Sequence, residues 1–195
     1  EDLARLAPNA CGIISFGTGG ALVGGLRLGD LVIGQSLTGA LACNCDPAWV
    51  QALARALPQA QTGAVFADGG LLATADAKAS AATSGAIIAD MESHLAGAAA
   101  IGHALPFAIL RCVSDLADAA LPPAVAVAMR PGGGLALAAV LGSILRQPGQ
   151  LPALVRTGIG FGRAFAALQA GTRTVGDRVG YDQRQLAGHS HLSVA

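Results

Sequence analysis

The sequence predicts an α/β layered domain, and three observations carry that prediction. Apolar runs of strand length alternate with helical stretches along most of the chain, as strands layered with helices require. The composition, 53% apolar and 12% charged over 195 residues, suits one domain with a sizeable core. Acids fall where apolar runs end, at Asp90 and Glu92 and again at Asp115. In a parallel α/β sheet, ligands sit in the crevice beyond the carboxyl ends of the strands.

Residues 2–7 read as the end of a helix stopped by Pro8 and Asn9. A buried strand follows over 12–16 (GIISF) and runs into a loop at Gly17, Thr18, Gly19 and Gly20. The glycines of that loop let backbone N–H groups approach an anion or a sugar, and a plain strand-to-helix turn is the competing reading. A dinucleotide fingerprint is not completed, because Leu22 stands where its third glycine belongs. A turn at 26–30 leads to a second strand over 31–36. Residues 46–57 form a helix: Asp46 caps it, Pro47 suits its first turn, and Trp49, Leu53, Ala56 and Leu57 share a face. A third strand spans 63–67. A short helix over 76–83, exposed through Lys78, stops at Ser84 and Gly85.

Residues 87–118 are the unit around which the chain is organised. A strand ends at Asp90, an Ala-rich helix spans 93–103, Leu105 and Pro106 break it, and 107–113 is a continuous apolar strand. Beyond Asp118 come a turn at Pro122 and Pro123, a short helix to Met129, an apolar helix over 135–145 and a final helix over 151–169. The domain therefore spans 1–171, with a polar, disordered tail over 172–195.

Composition excludes several classes of function. With 12 basic and 12 acidic residues the net charge is zero, and no basic stripe invites nucleic acid. Cys43 and Cys45 have the wrong spacing for a zinc knuckle, and no second pair completes one, so no metal site is expected. The four cysteines read as free, buried thiols of a cytoplasmic protein. The uncharged stretch between Arg5 and Arg27 is too rich in glycine to be a transmembrane segment.

The candidate site is the convergence of the glycine loop with Met91-Glu92 and Ser114-Asp115. Glu92 is the sole interior glutamate, in an apolar region where an unpaired charge is expensive. Its carboxylate can accept two hydrogen bonds from a vicinal diol, or it can cap the helix that follows. Met91 offers an apolar wall or a core contact. Asp115, partly desolvated, can serve as a proton donor with a raised pKa, or as a loop cap. His94 and His103 are satisfied structural histidines on this reading, and Arg111 pairs with a nearby acid.

The runs IADMESH at 88–94, LPFAILR at 105–111 and SDLAD at 114–118 resemble the nucleoside phosphorylase and methylthioadenosine/S-adenosylhomocysteine nucleosidase superfamily. DAALPP at 118–123 and RQPGQLP at 146–152 look like its hopanoid-associated phosphorylase (adenosylhopane nucleosidase) branch. SFGTGG at 15–20 and LRLGDLV at 26–32 fit as well. The resemblance implies a three-layer α/β/α domain with a mostly parallel central sheet, here lacking the family's first strand. It also implies cleavage of the N-glycosidic bond of an adenosyl compound, adenosylhopane in this branch, with release of adenine in hopanoid synthesis. Glu92 and Asp115 would be catalytic, holding the ribose hydroxyls and meeting purine N7. Met91 and Ser114 would contact substrate, and Thr18, Gly19 and Gly20 would line the site of water or phosphate. No cofactor is implied beyond phosphate as a co-substrate. The implied partners are a nucleoside or nucleoside-lipid and further copies of the chain, with peripheral membrane contact compatible. A methylthioadenosine or S-adenosylhomocysteine nucleosidase, another purine nucleoside phosphorylase, and a non-catalytic nucleoside-binding member are the alternatives.

Overall fold

The computed structural model describes residues 10–128, 143 and 145–176. The expected helices over 2–7 and most of 135–145 lie outside the described residues, as does the tail from 177 onward. Among the described residues the strands are β1 (Ile13–Ala21), β2 (Leu31–Gly39), β3 (Cys43–Asn44), β4 (Gln61–Ala67), β5 (Ala86–Asp90) and β6 (Phe107–Asp115). Among the described residues, the α-helices that alternate with or follow them are α1 (Pro47–Ala56), α2 (Ala75–Ala82), α3 (Ser93–Gly102), α4 (Pro123–Ala128) and α5 (Leu151–Val175).

The strand order is β3-β2-β4-β5-β1-β6, and β6 also pairs with β2, so the sheet closes on itself. Closure removes the open edges that β2 and β6 would otherwise expose. The expected parallel pairings are there, β1 with β6 and β4 with both β2 and β5. Three antiparallel pairings accompany them, β1 with β5 and β2 with β3 and β6, so the sheet is mixed. Close approach of β2 to β6 depends on Gly34, where an added Cβ would lie 2.7 Å from Ile109. β3 is two residues long and carries no periodicity from which to read it.

β6 shows why this strand reads as an unbroken apolar run: every residue from Phe107 to Ser114 is buried. Phe107, Ile109 and Val113 pack with Val32, Leu37, Val65, Ile88 and the α3 residue Ala100. Ala108 and Leu110 pack the other way, with Trp49, Leu53 and Leu57 of the α1 segment, and Cys112 meets Ala164 and Leu168 of α5. Helices therefore cover both faces of the strand. Each such buried large side chain contributes roughly 1.5–3 kcal/mol. Asp46 caps α1 as expected, its Oδ1 accepting from the Trp49 amide at 2.8 Å.

Three expectations need correction. Gly17, Thr18, Gly19 and Gly20 are not a loop but the second half of β1, in parallel register with β6. Lys78 is not exposed: it is 1% accessible, buried beneath α2. The final helix does not stop at Gln169 but continues to Val175, ending at Gly176 with φ of 73°. Thr172 and Thr174 bond back to the carbonyls of Leu168 and Ala170, and the Gly176 amide donates to the Thr172 carbonyl at 2.9 Å, with a positive φ open to glycine.

Of the four cysteines only Cys45 and Cys112 are buried, while Cys43 is half-buried and Cys11 is exposed, against the expectation that all four are buried. Burial pushes the Cys45 thiol up to about 12 and the Cys112 thiol up to about 11. Among the described residues, no helix is long and apolar enough to cross a membrane.

Candidate active site

Two buried polar networks build the site, one at the end of β5 and one at the end of β6. At the first, Asp90 turns its Oδ1 onto the amides of Glu92 (2.8 Å) and Ser93 (2.7 Å), capping α3 from just outside it. Its Oδ2 lies 2.9 Å from Arg111 Nε, an ion pair without hydrogen-bond alignment, with both side chains under 5% exposed. Arg111 Nη2 donates to Ser15 Oγ at 2.5 Å and to Ser93 Oγ at 2.9 Å. Strands β1, β5 and β6 and the start of α3 are thus tied at one point. The pairing expected of Arg111 is present.

Because Asp90 does the capping, Glu92 is released from it. Glu92 occupies the cap position of α3 yet makes no side-chain cap bond. Its carboxylate has no hydrogen-bond or ion-pair partner among the described residues, and it lines a cavity. The capping reading of Glu92 is thereby set aside.

At the second network, Lys78 Nζ donates to Asp115 Oδ2 at 2.5 Å and to the carbonyls of Leu116 and Ala119 at 2.6 and 2.9 Å. The Ser114 hydroxyl lies 2.8 Å from Asp115 Oδ1 and 3.1 Å from the Gly19 carbonyl, and gives its one proton to one of them. Asp115 is therefore an ion-pair partner first, and not a loop cap. Room remains beside it.

That room is a cavity of about 120 Å³. Thr18, Gly19 and Gly20 form one wall, Met91 and Glu92 another, and Ser114 and Asp115 a third. All seven sequence-predicted residues meet there. Leu22, Gly70, Leu71, Leu72, Ala89 and Leu121 add an apolar lining that sequence reasoning did not assign, as does Lys78 a charge. Lys78 could have been suspected on one ground only: it is the chain's single lysine, on an otherwise Ala-rich helix.

The β1 glycines serve these networks. A Cβ at Gly17 would lie 2.5 Å from Arg111 Nη1, one at Gly19 2.6 Å from the Ala89 carbonyl, and one at Gly20 2.8 Å from Asp115 Oδ2. They admit the buried arginine, the neighbouring strand and the aspartate into one crowded place.

His94 lies beside Gly69, and its buried Nδ1 has no hydrogen-bond partner, so it is not the satisfied histidine expected. His103 is exposed. No group of three or more His, Cys, Asp or Glu side chains suited to a metal occurs among the described residues.

The fold is that of the adenosyl nucleosidases and related hydrolases. Three solved structures show the likeness. The S-adenosylhomocysteine nucleosidase of Streptococcus pyogenes, in complex with 5-methylthiotubericidin, superposes with a TM-score of 0.56 at 24% identity, over 60% of this chain and 59% of that one. The 5'-methylthioadenosine/S-adenosylhomocysteine nucleosidase of S. pneumoniae, with the transition-state inhibitor MT-ImmA, gives 0.55 at 20% identity, over 60% and 61%. The futalosine hydrolase of Helicobacter pylori gives 0.54 at 16% identity, over 59% of each chain. The chain spans about three fifths of the length of these structures, and the likeness is one of fold. No protein-family model matches the chain, and comparison with curated proteins finds no match.

Proposed function

We propose that the protein cleaves the N-glycosidic bond of an adenosyl compound by attack of water, releasing adenine. The observation that carries this reading is the opening of Glu92 and Asp115 into one cavity, from just beyond the end of β5 and from the end of β6, the strands on either side of β1, with a partly apolar lining around them. The unpartnered Glu92 carboxylate accepts the ribose hydroxyls, and Met91 lies along the nucleoside. Asp115 meets the leaving base. Positive charge develops on the ribose as the bond breaks, and a carboxylate on the sugar side answers it while the base is neutralised from the other side. Thr18 and Gly19 border the approach of water. The nucleosidase names of the structural neighbours agree with this chemistry.

Within this class we infer a lipid-linked substrate, adenosylhopane. Support comes from the two segments that resemble the hopanoid branch, the first of which borders the cavity while the second is bonded to the residue that follows the first. Leu121 of the first lines the wall. Gln150 of the second is buried and accepts from the Ala124 amide at 3.0 Å, holding the start of α4.

Incubation with adenosine, methylthioadenosine, S-adenosylhomocysteine and adenosylhopane, with and without phosphate, tests the reading through free adenine. The expected result is phosphate-independent release, fastest from adenosylhopane. Asp115→Asn is expected to lower turnover by about 10²-fold or more, the range of a lost general acid, with nucleoside binding retained. Strict dependence on phosphate would change the reaction to phosphorolysis. Absence of adenine under all conditions would leave a nucleoside-binding module.

A further inference from the structure

We propose that Lys78 is a positioning residue that also stores the proton Asp115 passes to the departing base. The inference rests on the nucleosidase reading above and deepens it. Asp115 Oδ2 meets Lys78 as an acceptor, at 2.5 Å from Nζ. A carboxylate in that pairing has acceptor sites only and no proton of its own to give. The nearest acidic proton sits on the ammonium. The other donor touching Asp115 is the Ser114 hydroxyl, at 2.8 Å, and an alcohol releases a proton far less readily than an ammonium does.

The hydrogen bonds around Nζ match such a transfer. The ammonium has three N–H groups, and three acceptors surround it: Asp115 Oδ2 and the carbonyls of Leu116 and Ala119. After one proton moves to Asp115, the amine keeps two N–H groups for the two carbonyls and turns its lone pair toward the new carboxyl proton. No hydrogen bond is lost. The pair is also shielded, with side-chain exposures of 2% for Lys78 and 12% for Asp115. Transfer replaces two desolvated charges with two neutral groups, which offsets part of its own cost.

The reaction then balances. The glycosidic C–N bond breaks and its electron pair leaves on the base. The proton on Nζ passes to the Asp115 carboxylate and from there to a ring nitrogen of the base. Asp115 ends as a carboxylate and Lys78 as a neutral amine. Water adds through oxygen to the anomeric carbon and releases one proton, which restores the ammonium. The overall change is adenosyl compound plus water to free ribosyl product plus adenine.

Lys78→Arg separates a charge that holds Asp115 from a proton that can be given away, because a guanidinium keeps its charge and donors but does not deprotonate. The variant is expected to hold KM within about threefold and to lose about 10²-fold or more in kcat, the general-acid range. Lys78→Ala is expected to lose kcat similarly and to regain turnover with added methylamine but not with methylguanidinium. Thermal melting and adenine binding establish that each variant is folded. Lys78→Arg turnover within about threefold of the original would overturn the proposal in favour of placement by charge alone, since a true proton source belongs in the general-acid range. If arginine is too large to fold there, the alanine variant decides: equal rescue by both compounds, or by neither, overturns it. A wild-type protein that releases no adenine removes the nucleosidase reading itself, a different outcome from an active enzyme indifferent to Lys78.

Discussion

The Asp90–Arg111 pair is the part of the site with the least freedom. Asp90 holds the Glu92 and Ser93 amides through one oxygen and faces the guanidinium with the other, so removing either partner strands a charge away from water. Arg111→Met is therefore expected to destabilise the protein by about 3–5 kcal/mol, read from the midpoint of urea unfolding. A loss near that of an exposed residue would mean that Asp90 finds other partners. The pairing of Arg111 was legible in the sequence, because an arginine inside an apolar strand has to be neutralised. The burial of Lys78 was not. Its carboxylate partner lies 37 residues away, and a lone lysine on an Ala-rich helix looks like an exposed face. Glu92 could be singled out as the sole interior glutamate, but only the placement of Asp90 decides between capping and an open carboxylate.

Strand β1 shows how an element can carry the right residues under the wrong local description. A run of three glycines in four positions suggests a loop, whereas here each glycine makes space for a group from another element. Nothing adjacent in sequence reports those crossings. Gly20→Ala would press a methyl group against Asp115 Oδ2, which Lys78 holds in place. The expected cost is about 1–3 kcal/mol of stability together with loss of turnover. Gly24→Ala is the control, since nothing lies within 4 Å of the added carbon and its backbone needs no glycine. Equal behaviour of the two variants in melting and adenine release would contradict this role for the strand. The α1 cap and the continuous burial of β6 were legible because each depends on its own segment. The closure of β2 onto β6 was not, because residues 31–34 and 109–112 pair across most of the domain.

At the scale of the whole molecule, the buried thiols predict an alkaline limit to stability. Cys45 and Cys112 ionise less readily folded than the ordinary value of 9.0, so below that pH they cost nothing. As pH rises above it, the unfolded chain loses protons that the folded chain keeps, and stability falls by up to about 1.4 kcal/mol per pH unit per thiol. Urea midpoints are expected to decline above pH 9 and to decline less in Cys45→Ala. An equal slope in that variant would remove Cys45 from the account. The α/β layering and the convergence of Met91-Glu92 with Ser114-Asp115 were available from sequence, because strand ends gather ligand-facing residues in such folds. On the proposed function, Glu92 grips the sugar while Asp115 meets the base. Calorimetric titration of the protein and its Glu92→Gln variant with a non-cleavable adenosyl riboside and with free adenine tests it most directly. The substitution is expected to weaken the riboside by about tenfold or more, as loss of a charge-assisted hydrogen bond implies, and to leave adenine nearly unchanged. Equal weakening of both ligands, or of neither, would contradict it.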